Sequence, residues 1–584
     1  MASLSSQSKL LATPYSFPYH TKPSRVSLRR VSCKASNDNK DKPNDQEKTF
    51  SIDRRNMLIG LGGLYGASNV FPSNQSTLAA PIQPPVLPDS CHPPEDLAEG
   101  VNVLCCPPDV KDPIDFQMPS NPSRLRIRPA AHLADPTYIE KYKKALAAMK
   151  ALPQNDPRSF YQQANIHCAY CNGAYDQVGF PDVNIQVHHS WLFLPFHRWY
   201  LYFYERILGS LIDDPTFAIP FWNWDAPKGM HMPHMFIDPN SPLYDAKRNP
   251  AHFPDTIVDL DFSSGEAPSH NPRQIGNNLS IMYKQVVRAK KARLFHGRPL
   301  QAGSFPDESG DGSLEGTPHG NIHLWSGDPR QSNFENMGNF YSAGRDPLFY
   351  AHHANVDRMW YIWKNSLGRK DYKKKDWLNA GFLLFDENAQ PVRVYVRDAL
   401  DERKLGYAYQ EVDIPWINSK PKPRKANPWP NRLRSKATTT TKLINKFPLT
   451  LDSTVSFEVK RPKKSRSKSE KEDEEEVLVI EKIKHEPQFP LKFDVYINDE
   501  DEDPSAADQT EFAGSFVNVP HFHRHGDKKD KRQTTNLSIG ISEVLDELDV
   551  DGDDSIVVTL VPRVGSGQIT IGGAKIEFVR DEED

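Results

Sequence analysis

His319-Gly320-Asn321-Ile322-His323 and, further on, His352-His353-Ala354-Asn355-Val356-Asp357-Arg358 decide how this chain reads. His319 and His323 stand four apart, so on a helix both imidazoles share one face at a spacing that suits a single metal ion. The His352-His353 pair can supply a third nitrogen. Upstream, His167-Cys168-Ala169-Tyr170-Cys171 is followed by His188 and His197, a second set of three. His188 and His197 are half a turn out of phase on a continuous helix. Both reach one metal only if His188 lies at or before the helix start, and Pro195 with the preceding His-Ser pair fits such an irregular beginning.

Imidazole suits zinc, copper, iron and nickel. A zinc protease places Glu after the first histidine of the pair, where this chain has Gly320. A non-haem iron triad mixes a carboxylate among its ligands. Two all-nitrogen sets of three point towards copper. Any one of these histidines alone would be ordinary packing; six at these spacings form a site hypothesis.

Outward from the histidines, residues 81–370 read as one catalytic unit and 371–417 as its end segment. Helical patterns cover Pro136–Ala151, Trp191–Leu208 and Asn355–Ser366, the second apolar on most faces and so destined for a large core. A Pro-, Lys- and Thr-rich stretch, 418–445, reads as an exposed, cleavable linker. Beyond it, 446–584 carries short alternating runs: Val455–Val459, Val477–Ile483, Phe493–Ile497, Ile556–Val561 and Ile576–Val579. These predict an all-β module. Lys460–Glu476 reads as a solvated loop, and Asp549–Asp553 as a polar turn between strands, because a calcium loop needs Glu where Leu560 stands. The Met230–Met235 run reads as packing and His521–His525 as an exposed loop.

The 584 residues exceed one ordinary domain, and the 50 prolines favour loops around a scaffold. The net charge of −4 and the lack of a long basic patch argue against nucleic acid. No apolar run spans a bilayer. Residues 1–37 hold basic and Ser residues but no Asp or Glu, as in an organellar transit peptide. Arg54-Arg55, a short apolar core and small residues up to Ala80 then form a twin-arginine export pattern. Two addresses in series within 1–80 predict a chloroplast thylakoid-lumen destination, with the twin-arginine machinery as a transient partner. Without Cys33, five cysteines remain, an odd count that implies disulfides plus one cysteine with another fate.

The sequence resembles the type-3 copper family, and within it the plant catechol oxidases and tyrosinases. The resemblance rests on His167-Cys-Ala-Tyr-Cys171, Trp191-Leu-Phe-Leu-Pro-Phe-His197-Arg198, Pro220-Phe-Trp-Asn-Trp-Asp225, His319-Gly-Asn-Ile-His323-Leu-Trp325 and Asp346-Pro-Leu-Phe-Tyr-Ala-His-His-Ala-Asn-Val-Asp-Arg358. It implies a helical catalytic domain with a four-helix-bundle dicopper core, followed by a β-rich, sandwich-like C-terminal domain. It implies one copper on His167, His188 and His197 and the other on His319, His323 and His353, with His352 behind them. It further implies disulfides Cys91–Cys106 and Cys105–Cys168 and a thioether between Cys171 and His188. Phe340 resembles a gate aromatic over the second copper, and Glu315 a carboxylate that holds an active-site water. The resemblance implies that Gly320 and Leu324 border the substrate entrance, and Asp357, one helical turn beyond His353, is expected to orient a ligand. Asp225 and Asn355 are weaker candidates for such a role. His189 stands where many relatives have another residue. The activity implied is oxidation of o-diphenols to o-quinones by O2, with monophenol hydroxylation possible. The resemblance assigns Lys492-Phe-Asp-Val495 to a C-terminal domain that covers the site, and Tyr407-Ala-Tyr409 to the end of the active core. The rivals are a pathway-specific phenol oxidase and a hemocyanin-like oxygen carrier.

Overall fold

The protein is described here by a computed structural model covering residues 80–94, 103–108, 112–119, 125–263, 273–305, 309–424, 446–499, 504–522 and 532–581. All lie in one compact unit, Thr77–Asp584. The transit and twin-arginine segments, 1–79, lie outside the described residues.

Five helices position the site. Helix α1, Pro136–Ala151, starts where expected: the Asp135 carboxylate accepts the Tyr138 N–H, and Pro136 occupies the first turn. It buries Tyr142, Ala145, Leu146 and Met149, a stripe at helical spacing. Helix α2, Phe160–Cys171, is capped by Ser159. Helix α3, Phe193–Leu211, is buried on nearly every face, as its composition demands. Helix α4, Asn321–Ser326, follows a wide, Pro318-containing turn over Glu315–Gly320. Helix α5, Leu348–Tyr361, runs on through a wide turn to Ser366. Its start precedes the sequence reading by seven residues, because the apolar Leu348-Phe349-Tyr350 opens the helix inside the core.

Strands β1, Gly381–Phe385, and β2, Pro391–Tyr395, form a hairpin on this unit. Strand β3, Tyr407–Tyr409, pairs in parallel with Arg126–Arg128. Beneath it lies a buried charge node. Asp357 accepts from Arg198 Nε at 2.6 Å, Arg128 Nη1 at 3.1 Å, the Tyr407 hydroxyl at 2.6 Å and the Tyr409 hydroxyl. Burial pushes its carboxyl upward, but Arg198 and Arg128 win and hold it below the usual range. Asp357 therefore does not orient His353, as expected from its place one turn on; it nails the end of the core to α3 and α5. Asp225 and Asn355 are structural too: Asp225 accepts from Asn355 Nδ2, Arg358 Nη1 and Trp416 Nε1.

The C-terminal module is a β-sandwich. One sheet runs β7-β6-β9-β4, built from Val455–Lys460 (β4), Leu491–Ile497 (β6), Phe512–Asn518 (β7) and Ser555–Val564 (β9). In the other, Glu474–His485 (β5) pairs antiparallel with Gln533–Gly540 (β8) and Gly573–Arg580 (β10). Alternate residues such as Phe457, Leu478, Ile480, Phe493 and Val558 fill the space between them. Strands β7 and β8 escaped the sequence reading because small and polar residues interrupt their alternation. Two loop expectations need correction. Lys460–Glu476 contains a short helix, Lys468–Asp473, closed by a Ser467–Glu470 capping box, and Arg461 is buried on Glu476. The turn at Asp549–Asp553 joins a helix, Ser542–Glu547, to β9, not two strands.

The module's outer face merges with the catalytic core through Val477, Tyr496, Val517, Val519 and Phe522. Three polar clasps add direction. Lys284 Nζ donates to the carbonyls of Ala507, Gln509 and Phe512. Arg288 pairs with Glu543 and Glu547. Lys492 Nζ reaches Asp261 Oδ1 at 2.8 Å, Ser263 Oγ at 2.9 Å and its own module's Asp494 at 3.1 Å. The expected linker, 418–445, also begins later than its composition suggests. The Thr510 N–H donates to the Lys422 carbonyl and the Arg424 N–H to the Glu511 carboxylate, so residues up to 424 are already fastened to the module. Residues 425–445 lie outside the described residues.

Candidate metal centre

The helices bring the histidines into two adjacent groups. In each, ring nitrogens lie within 4.8 Å of one another: His167, His188 and His197 in one, His319, His323, His352 and His353 in the other. His167 comes from the last turn of α2 and His197 from the first turns of α3. His188 lies five residues before α3 begins, the irregular start that the spacing required. The second group comes from the Glu315–Gly320 turn, α4 and α5. His197 and His353 stack across the two groups, centroids 4.2 Å apart, so the groups face each other.

Backbone carbonyls set the tautomers. Nδ1 of His167, His197, His319 and His323 lies 2.7–2.8 Å from the carbonyl oxygens of Phe340, Phe193, Glu315 and Met337 respectively. A carbonyl only accepts, so each Nδ1 carries the hydrogen and each Nε2 keeps its lone pair. Nε2 of His167, His188, His197 and His319 has no hydrogen-bond partner, and Nε2 of His323 faces that of His353 at 3.3 Å. A buried polar atom without a partner costs about 1–3 kcal/mol. Gathered lone pairs of this kind are what metal ions satisfy, so the residues present fit two coppers. Burial also keeps the rings neutral, the ligating form: His197 is pushed down to about 3 and His323 to about 4. His352 is buried with neither nitrogen bonded, and its ring stacks on His319 at 5.3 Å.

Around the first group, Gln186 ties two elements together. Its Nε2 donates to the Cys171 carbonyl at 2.8 Å, and its Oε1 accepts the His188 N–H at 2.9 Å. Cys171 is buried and outside any disulfide, while Cys91–Cys106 and Cys105–Cys168 are bonded. Phe340 is not over the second group as expected. Its ring stacks on His188, centroids 3.9 Å apart, and stands 5.9 Å from His323. Its backbone explains this: the carbonyl holds His167, and the N–H donates to Pro520 of the module at 3.0 Å.

Glu315 Oε1 accepts the His189 N–H at 2.6 Å, and Oε2 is unpartnered. Burial, then neighbouring Asp311, pushes this carboxyl well above its usual range. Leu324 packs in the core, while a Cβ at Gly320 would meet Val517 and Val519 of the module at 3.3 Å. His521, expected in an exposed loop, is fully buried; its ring lies 5.4 Å from Phe340 and 5.1 Å from His189. His523 and His525 lie outside the described residues. Met230, Met232 and Met235 are buried packing, as expected. Sequence reasoning missed Gln186, whose role depends on a loop, and Asp311, whose partner His189 is far away in the chain.

Two facing histidine sets on a helical core, closed by a β-sandwich, define a protein of the type-3 dicopper class. The common central domain of tyrosinase matches residues 157–366, the polyphenol oxidase middle domain 371–422, and the chloroplastic polyphenol oxidase C-terminal domain 447–578. A chloroplastic polyphenol oxidase of Malus domestica is 53% identical, covering 96% of this chain and 94% of its own. Catechol oxidase B of Solanum tuberosum, also chloroplastic, is 46% identical over 96% of this chain and 95% of its own. The structure of latent apple tyrosinase matches with a TM-score of 0.74 and 54% identity, over 80% of this chain and all of that one. The chain belongs to the plant polyphenol oxidase family. Among the described residues, no helix is long and apolar enough to cross a membrane.

Proposed function

We propose that this chain oxidises catechol-type phenols to o-quinones with O2, and is latent until its C-terminal module is displaced. The observation that carries this is the pair of facing histidine sets with their Nε2 lone pairs unpartnered. His167, His188 and His197 hold one copper; His319, His323 and His353 hold the other, with His352 packed behind. Bound copper supplies the electron chemistry, accepting electrons from the phenol and passing them to O2. The chain's own residues fix the rings through carbonyls, exclude water and shape the entrance. A thioether joining Cys171 to His188 would lock that ring, and peptide mass spectrometry should show it as a deficit of two hydrogens in the linked pair.

Latency follows from the covering loop. Val517 and Val519 press on Gly320, Pro520 holds Phe340, and His521 fills the space beside it. The domain plan is a catalytic unit to 370, an end segment to 424, a linker over 425–445 and the module from 446. Placement in the thylakoid lumen rests on the twin-arginine pattern and suits the two disulfides. A reporter fused to residues 1–85 should reach the lumen and stay in the stroma when Arg54 and Arg55 become Lys.

The deciding experiment is copper content and catechol oxidation of His323→Ala. One copper per chain and no quinone formation are expected, against two coppers and activity after clipping in the parent. An active variant with both coppers overturns the ligand assignment.

A further inference from the structure

Beside the first histidine group lies a cluster that phenol oxidation does not fully use. One nitrogen of His189 and one oxygen each of Asp311 and Glu315 lie within 4.8 Å of one another. His189 and Glu315 are 5% and 4% exposed. His189 Nδ1 is 2.6 Å from Asp311 Oδ1, yet His189 Nε2 and Glu315 Oε2 have no hydrogen-bond partner. Among the described residues, no lysine or arginine bonds to either carboxylate. Two neighbouring buried carboxyl groups meet one imidazole here, and such a set cannot all be ionised in a dry site without a cation among them.

A second observation comes from the module. His485, at the end of β5, is 1% exposed, and neither ring nitrogen has a side-chain partner. It interacts electrostatically with both His189 and Asp311. A cavity of about 40 Å³ opens beside Asp311, between Gly312, Gly316 and Thr317 of the core and Ile539 and Gly540 of the module. That is room for a water-sized guest next to the cluster.

We propose that His189, Asp311 and Glu315 form a third metal site, distinct from the copper ligands, for one divalent cation of borderline hardness such as Zn2+. His485, on the module's side of the cluster, would make the site bridge the two domains. One imidazole and two carboxylates match zinc's donor preference, and two negative charges neutralise the ion. Zinc bonds of ~2.0–2.2 Å need ligand atoms about 3.3 Å apart in a tetrahedron, so the His189–Asp311 contact has to open by less than an ångström.

The test uses the full-length, copper-loaded chain equilibrated with Zn2+, with both metals counted by elemental analysis after gel filtration. Two coppers and one zinc per chain are expected. Asp311→Asn should lose the zinc and keep both coppers, and His485→Gln should weaken zinc binding at least tenfold. Zinc retained at full stoichiometry in Asp311→Asn places it elsewhere and overturns the proposal, as does no zinc in the parent chain. Zinc-edge anomalous diffraction from crystals of the parent protein gives a check that needs no variant: a peak between His189 and Asp311 supports the site, and a peak elsewhere overturns it. The copper count reports on the oxidase reading separately.

Discussion

Lys492→Met should convert a latent chain into one that is active without protease or detergent. The ammonium is fully buried and joins the domains, touching the carbonyl and carboxylate of Asp261, the Ser263 hydroxyl and the Asp494 carboxylate. Removing one partner of a buried ion pair costs about 3–5 kcal/mol, because the other charge stays behind unpaired. Within the module Asp494 keeps Arg563 at 2.5 Å, so the module should still fold. The stranded charge is Asp261, on the core, so most of the cost falls on docking. A loss of ~3 kcal/mol moves a docking equilibrium about 100-fold towards the open form. The assay is catechol oxidation by the uncut variant relative to the same variant clipped within 425–445. That ratio should rise at least ~10-fold over the parent's. An unchanged ratio, with the module shown folded by near-ultraviolet circular dichroism, would refute the idea that this triad holds the cover down. The pH dependence tests the same triad. Burial, relieved only in part by Lys492 and reinforced by Asp494, raises Asp261 from 3.8 to about 6 in the docked state. Asp494 is held below its ordinary range because Lys492 and Arg563 outweigh its burial. A raised carboxyl means that docking takes up a proton, so Asp261's contribution is lost as pH rises from about 4 through 6 and levels off above that. Asp494 acts oppositely, but only in acid below about 4. The uncut chain should therefore be more tightly latent at pH 5 than at pH 7, and Asp261→Asn should flatten that difference.

Three further outcomes follow from the packing. Asp357→Ala should lower stability by about 3–5 kcal/mol, since it leaves Arg198 buried without its carboxylate while Arg128 keeps only Glu205, and thermal unfolding of the holoprotein will show it. Cys168→Ser opens a bridge with a sequence separation of 63, worth about 4 kcal/mol by loop entropy, so its melting temperature should fall by several degrees without loss of copper. A chain clipped within 425–445 should keep its module bound at high concentration, because Lys420 reaches Glu547, Lys422 pairs with Thr510, and Lys284 and Arg288 also remain in place. Its activity should then rise on dilution, whereas the uncut chain's should not.

What the sequence displayed and what it hid divide along one physical line. Spacing exposes residues that act together on one short stretch. His319 and His323 could be paired at sight, and the nine-residue step from His188 to His197 demanded the irregular start found ahead of Phe193. The sandwich strands with clean alternation, such as Val455–Lys460 and Leu491–Ile497, were equally plain. Contacts across long stretches of chain leave no such trace. Asp357 sits one turn beyond a histidine, which suggested service to the metal, but its partners Arg128 and Tyr407 lie far away in sequence and claim both its oxygens. Phe340 was assigned to the wrong copper for the same reason: its backbone is fixed by His167 on one side and by Pro520 on the other. His521 read as surface because the residues that bury it, Phe340 and His189 of the core and Gln533 of its own module, are distant or outside its own run in sequence. The ligand set was thus legible from local periodicity, while the cover and its fastenings were not. It follows that catalysis and latency rest on separable residues, so that variants at Lys492 or Asp261 should alter access to the coppers without altering how the coppers are held.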